Sequence, residues 1–159
     1  MSEFLFRHEF LTRLELSGCK VPDKGGYEIA KALQAGNLRL SHLNLSHNEI
    51  GNKSAVAFGT ALQKNHTLLN LNLSWNAIKE PGADALAEGL QRNATLQEFD
   101  LSWNGIGTKG VMHFGEMLQH NLGLKSLDLS STRVGAEACL VLAEGIKASP
   151  SLRFSLKVY

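Results

Sequence analysis

The string Leu-x-x-Leu-x-Leu-x-x-Asn recurs along the chain, and its fixed step restricts the fold more than any other feature. It reads Leu40, Leu43, Leu45 and Asn48, then Leu68, Leu71, Leu73 and Asn76, then Leu96, Phe99, Leu101 and Asn104. The step between asparagines is 28 residues each time (76 − 48 and 104 − 76). Extension outward adds Leu11, Leu14 and Leu16 with Cys19 in the Asn slot, 29 residues before Asn48, and Leu124, Leu127 and Leu129 with Thr132 in that slot, 28 after Asn104. Five repeats result, at about 11–39, 40–67, 68–95, 96–123 and 124–151, with an incomplete sixth at 152–159, in one domain of 1–159. A unit this short cannot bury an apolar face alone, so the repeats must stack and share a core. The surplus residue of the first repeat falls between Leu33 and Leu40, where a surface turn absorbs it at small entropic cost.

Inside each repeat the apolar period changes. Leu71-Asn72-Leu73 alternates as a half-buried strand does, whereas Ile78, Leu86 and Leu90, with small Gly82, Ala83 and Ala87 between them, trace one helical face. The spacing predicts an α/β chain, a right-handed strand-helix solenoid with a parallel sheet on one face and helices on the other. Asp23, Asn52, Glu80, Thr108 and Ala136 share the slot where a helix starts, and Asp, Asn and Thr there can accept from its free N–H groups. Pro81 suits the first helical position. Gly25, Ser54, Gly82, Gly110 and Ala138 share another slot, read as close packing of helix on strand.

The units Leu43–Gly51, Leu71–Lys79 and Phe99–Gly107 resemble leucine-rich repeats of the ribonuclease-inhibitor type, and the resemblance covers nearly the whole chain. It implies a horseshoe with strands on the concave face, helices on the convex face, and an Asn amide bonded to backbone groups in the turn after each strand. Cys19, Asn48, Asn76, Asn104 and Thr132 would form that turn ladder, since the family tolerates Cys or Thr there. Such arrays serve in ribonuclease inhibitor, in nucleotide-binding leucine-rich-repeat receptors, in the activating protein of the Ran GTPase and in repeat-only cytosolic proteins. The Leu-Ser-Trp-Asn wording is most similar to the repeat-only proteins and the receptor arrays. The resemblance implies a protein-protein interaction scaffold, with a GTPase regulator or a fragment of an immune sensing array as alternatives.

No catalytic or metal constellation is legible, and the expectation is no enzyme and no cofactor. The histidines His8, His42, His47, His66, His113 and His120 lack partners at metal-ligand spacing and are read as surface or turn residues. Asp100 and Asp128 occupy equivalent strand positions and are read as a solvated pair. The Asn-x-Ser/Thr triplets at Asn44, Asn52, Asn65, Asn72 and Asn93 recur by register, not as glycosylation sites. Sixteen Lys+Arg against fifteen Asp+Glu are too balanced to offset phosphate repulsion, which argues against a nucleic-acid partner. Charges interrupt the apolar residues of Met1–Glu9, and no run of about 18 apolar residues occurs, so neither a signal peptide nor a membrane span is expected. The cytoplasm is then the expected compartment, with Cys19 and Cys139 as buried, unbridged thiols.

Function is expected on the strand face, where residues flanking the strand leucines stack from repeat to repeat. One column is Arg13, His42, Asn70, Glu98 and Ser126, and the next is Glu15, Asn44, Asn72, Asp100 and Asp128. Ser17, Ser46, Ser74, Ser102 and Ser130 form an all-serine column, read as bonding local backbone. The fourth column is Gly18, His47, Trp75, Trp103 and Ser131. The repeat does not require Trp there, and adjacent Trp residues on a ridge are favoured binding anchors. The candidate partner surface is therefore Trp75, Trp103, His47, Asn72, Glu98, Asp100 and Asp128. Past Leu152, the run Arg153–Tyr159 reads as a further strand in slipped register, an edge open to association and expected of a short isoform or a piece of a longer array.

Overall fold

The computed structural model describes residues 10–36, 39–152 and 155–158, so His8, Arg153, Phe154 and Tyr159 lie outside the described residues. Strands β1 (Arg13–Glu15), β2 (His42–Asn44), β3 (Asn70–Asn72), β4 (Glu98–Asp100), β5 (Ser126–Asp128) and β6 (Ser155–Lys157) form one parallel sheet in sequence order. Helices α1 (Asp23–Gln34), α2 (Asn52–Leu62), α3 (Glu80–Gln91), α4 (Gly107–Leu118) and α5 (Ala136–Ala148) make the crossovers. Each strand sits one repeat ahead of the last, with Leu43 beside Leu71, then Phe99, then Leu127. Ser126 pairs with Ser155, a step of 29 (155 − 126), which is the slipped register of the sixth strand.

The core lies between sheet and helices because the strand leucines point one way and one helical stripe faces them. Ile29, Phe58, Leu86, Phe114 and Leu142 form a buried helical column against the buried strand residues Leu43, Leu71, Phe99 and Leu127. Phe99, where the neighbouring strands carry Leu, reaches Phe114 with ring centroids 6.0 Å apart. The next helical column, Leu33, Leu62, Leu90 and Leu118, is buried, but its last member Ile146 is 43% exposed. No following helix packs over α5 among the described residues.

The small-residue slot is a packing slot, but it faces the neighbouring helix and the preceding turn, not the strand that was expected. A Cβ on Gly82 would lie 2.8 Å from Ala55 Cβ, and one on Gly110 would lie 3.0 Å from Ile106 Cβ. A tighter approach was not legible: a Cβ on Gly89 would sit 2.3 Å from the Gly59 carbonyl oxygen, so α2 and α3 meet backbone to backbone.

Two expectations are corrected at the helix starts and the thiols. None of the five helices is capped by its own N-cap side chain. Asp23, Asn52 and Thr108 cap the next repeat instead, accepting from Gly51 and Ser54, from Lys79 and from Gly135 respectively. Each is itself the first or second helical residue, so its side chain projects along the stack, where the neighbouring helix's free N–H groups lie. Burial pushes the Asp23 carboxyl up, but bonds from Ser54 and the amides of Gly51, Ser54 and Lys53 outweigh it and hold its pKa below the ordinary value. Cys19 and Cys139 are free, as expected, yet both are exposed, because the first lies in a turn and the second on the outer face of α5.

Candidate functional site

The turn after each strand sets the site. Asn76 lies just past β3, where the chain must fold back toward α3 and leaves backbone groups unpaired. Its Nδ2 lies 2.9–3.0 Å from the carbonyl oxygens of Leu45, Leu73 and Ser74, and its Oδ1 accepts from the Ile50 amide at 2.8 Å. Asn48 and Asn104 repeat the pattern, bonding Leu16, Leu45, Ser46 and Val21, and Leu73, Leu101, Ser102 and Ile78. Each Asn therefore staples its own turn to the preceding one. Thr132 is too short for this and donates only to Leu129, at 2.6 Å. The adjoining backbone adjusts: the Gly107 amide donates to the Thr132 carbonyl, Gly107 takes φ +68° and Arg133 takes φ +64°. At Cys19 the thiol reaches only Ser17, at 3.6 Å, and no repeat precedes it among the described residues.

These turns force the fourth column into a left-handed backbone. His47, Trp75, Trp103 and Ser131 have φ of 54°, 54°, 55° and 56°, and Gly18 has φ 68°. Such a conformation costs a side-chain-bearing residue about 1–2 kcal/mol. Gly18, His47, Trp75 and Trp103 each donate the backbone amide to the carbonyl of the serine one strand along, so the rungs stand in register. The rings consequently stack. His47 and Trp75 have centroids 5.0 Å apart at 16°, and Trp75 and Trp103 are 4.1 Å apart at 12°. The indoles remain 44% and 50% exposed. Trp75 is sandwiched, whereas among the described residues Trp103 has a ring on one face only, because Ser131 occupies the next rung.

On the sheet face beside the ladder, Asn72, Asp100 and Asp128 lie in one cross-strand row, with Glu98 in the row before it. They border a shallow hollow of about 210 Å³ that Asn70, Ser126 and Lys157 complete. The solvated-pair reading of the aspartates is corrected. Asp100 Oδ1 accepts from the Ser102 amide at 3.0 Å and hydroxyl at 2.7 Å, and Asp128 does the same with Ser130. The hydroxyls of Ser74, Ser102 and Ser130 thus bond the neighbouring column's side chains, not backbone as the sequence suggested, whereas Ser17 and Ser46 pair with each other. Lys157 lies 3.2 Å from Asp128. Burial raises the Asp128 pKa, but Ser130 and Lys157 together outweigh it and keep it below the ordinary carboxylate value. Glu98 accepts from Asn70 at 2.5 Å. Neither Glu98 nor Asp100 forms an ion pair among the described residues.

Elsewhere, His113 is half-buried between α3 and α4 with Nδ1 3.1 Å from Asp84, rather than a plain surface residue. No group of three or more potential metal ligands converges among the described residues. A second asparagine ladder escaped the sequence reading: Asn65, Asn93 and Asn121 are buried after their helices, where Asn93 donates to Leu62 and Asn65 and accepts from Thr95 and Leu96. Its signal was the same step of 28 (93 − 65 and 121 − 93), read for two of the three only as recurring triplets.

A stacked parallel sheet with asparagine-stapled turns, one face helical and one face open, defines a repeat-built binding solenoid. The chain belongs to the leucine-rich repeat family: the family model described as Leucine Rich repeat matches residues 7–30, 36–59, 64–87, 92–115 and 120–143. No curated protein matches the sequence significantly. Among solved structures, the chain is similar to the actin-binding site 2 of leiomodin-1, with TM-score 0.72 and 20% identity over 92% of this chain and 87% of that one. It is also similar to the C-terminal domain of tropomodulin from Caenorhabditis elegans, with TM-score 0.74 and 15% identity over 92% of each chain. These likenesses are of fold. No helix among the described residues is long and apolar enough to cross a membrane.

Proposed function

We propose that the chain is a non-catalytic scaffold of the cytoplasm that seats a protein partner on the concave sheet face. Trp75 and Trp103 are its anchors, and His47, Asn72, Glu98, Asp100 and Asp128 complete the surface. One observation carries the reading: two adjacent indoles, about half exposed, are held face to face on a left-handed backbone that disfavours them. Gly18 and Ser131 close the same left-handed turn without a ring, so the turn does not require the indoles, and adjacent exposed Trp residues are favoured binding anchors. The carboxylates of Glu98 and Asp100, which form no ion pair among the described residues, favour a partner patch with Arg or Lys, whose effect falls mainly on association rate. The finer assignment to the ribonuclease-inhibitor type is supported by the 28-residue step, a full helix in every repeat and the Cys and Thr substitutes in the Asn slot. Free, exposed thiols fit a reducing compartment.

Purified actin is the first partner to assay, because the like-folded part of leiomodin-1 is an actin-binding site. The general test is proximity labelling in cells, comparing wild type with the Trp75→Gly/Trp103→Gly double variant. Loss of a true anchor weakens binding about 30-fold or more, so the variant should lose the specific set of labelled proteins. An unchanged set with the fold intact would move the binding face to the convex helices.

A further inference from the structure

The aromatic ladder stops one rung short. Trp103 is covered by Trp75 on one face, and on the other side the next rung is Ser131, whose backbone has the same left-handed conformation but whose side chain carries no ring. Beside Trp103 the surface opens into a hollow of about 330 Å³, lined also by Asn76, Asn104, Gly105, Ser131 and Arg133. The lining is uncharged except for Arg133, which is exposed and forms no ion pair among the described residues.

We infer that this hollow is a specificity slot for a partner's aromatic side chain, which stacks on Trp103 as the ladder's next rung with a neighbouring carboxylate against Arg133. The inference rests on the proposed binding ridge and adds to it the chemistry of one contact. Three observations select the occupant. The indole's second face, which no ring covers among the described residues, continues a stack whose rungs are nearly parallel, so a flat ring fits it and an aliphatic chain wastes the face. The hollow's volume, at the lower end of the range for small-ligand pockets, takes one large side chain and not a helix. The only charge in the lining is positive, which disfavours a basic neighbour and favours an acidic one. The carboxylates of Glu98 and Asp100 lie on the sheet face and select basic residues there, so the partner segment would carry opposite charges at two separate places.

The test uses the full chain and three capped dipeptides: acetyl-Glu-Trp-amide, acetyl-Glu-Leu-amide and acetyl-Lys-Trp-amide. Binding is read from the indole Nε1–H resonances of Trp75 and Trp103 and the Arg133 side-chain resonance. The Glu-Trp peptide should shift Trp103 and Arg133 saturably and Trp75 less. Replacing its ring should weaken binding about tenfold, and reversing its charge about threefold. Ser131→Trp fills the rung from within the chain, on a backbone that already holds Trp at two equivalent positions, and should abolish the shifts. Equal binding of all three peptides, or full binding by folded Ser131→Trp, would overturn the slot. The two readings part on partner capture: if Trp75→Gly/Trp103→Gly loses the partner and Ser131→Trp keeps it, the ridge stands and the slot falls.

Discussion

Replacing Trp75 separates the ladder's stacking from its backbone strain. The indole is 44% exposed, and its rings touch His47 on one face and Trp103 on the other. Half of a buried indole's area is about 100 Å², worth about 2.5 kcal/mol at about 25 cal/mol per Å², an upper bound because the unfolded chain is partly compact. Stacking geometry adds about 1 kcal/mol. Trp75→Ala should therefore lose about 3 kcal/mol, since alanine keeps the penalty of φ 54° while discarding the contacts. Trp75→Gly discards the same contacts but relieves about 1 kcal/mol of strain, so it should lose only about 2 kcal/mol. This reverses the ordinary order, in which Gly is about 0.5–1 kcal/mol worse than Ala in a regular element. Urea unfolding followed by far-ultraviolet circular dichroism measures both, with Ala143→Gly on the exposed face of α5 as the control that shows the ordinary order. Should Trp75→Ala prove as stable as Trp75→Gly, the left-handed turn would not be the source of the cost.

Four further outcomes can be measured. Asn76→Ala leaves the Ile50 amide and three carbonyl interactions unmet, and should cost about 4 kcal/mol in urea unfolding; Asn76→Thr, imitating Thr132, should recover a minor part. Gly89→Ala drives a methyl into the Gly59 carbonyl and should cost about 3 kcal/mol or more, whereas Gly105→Ala, whose Cβ meets nothing nearer than 3.7 Å, should change stability by less than about 1 kcal/mol. Asp23 and Asp128 have folded pKa values below the unfolded value, so the stability they add is present above about pH 4 and lost as pH falls through and below it. The drop in urea midpoint from about pH 6 to pH 3 should shrink in Asp23→Asn/Asp128→Asn, and an undiminished drop counts against the assignment. The outer edge of β6 and the exposed Ile146 and Leu140 of α5 should drive concentration-dependent association in sedimentation, relieved by Ile146→Lys; a monomer at every concentration would contradict this.

The repeat was legible because a period multiplies weak local signals. Leu71 alone says little, but its recurrence as Leu43, Phe99 and Leu127 fixes register, sheet order and the inward face together. The same logic placed the columns, including the row of Asn72, Asp100 and Asp128. What periodicity could not convey was the direction of a side chain at an element's end. At Asp23 and Asn52 the sequence pattern points to their own helices, whereas stacking puts the neighbour's amides within reach. The slip of the sixth strand is legible but its size is not: the contact of Lys157 with Asp128 needs a step of 29 (157 − 128), and the leucine pattern does not fix that number.

Function lies in the breaks of the period, because stacking explains the repeated rungs of the ladder and none of the exceptions. Gly18 and Ser131 show that the left-handed rung needs no ring, so Trp75 and Trp103 are additions to a turn that would close without them. Thr132 shows the converse: losing the Asn changes the backbone that follows it, which gives Arg133 its left-handed conformation beside Trp103. Asn104, by contrast, staples the turn in which Trp103 stands to the one before it, fixing one indole over the other. The ridge and the hollow therefore arise at the join between a regular turn and an irregular one. Restoring regularity with Thr132→Asn should draw the following residues toward the conformation seen after Asn76, removing the positive φ at Arg133 while leaving the Trp75 and Trp103 stack in place. Backbone chemical shifts of residues 105–108 and 131–134 would report the change, and unchanged shifts in a folded variant would mean that the side chain at 132 does not govern the turn.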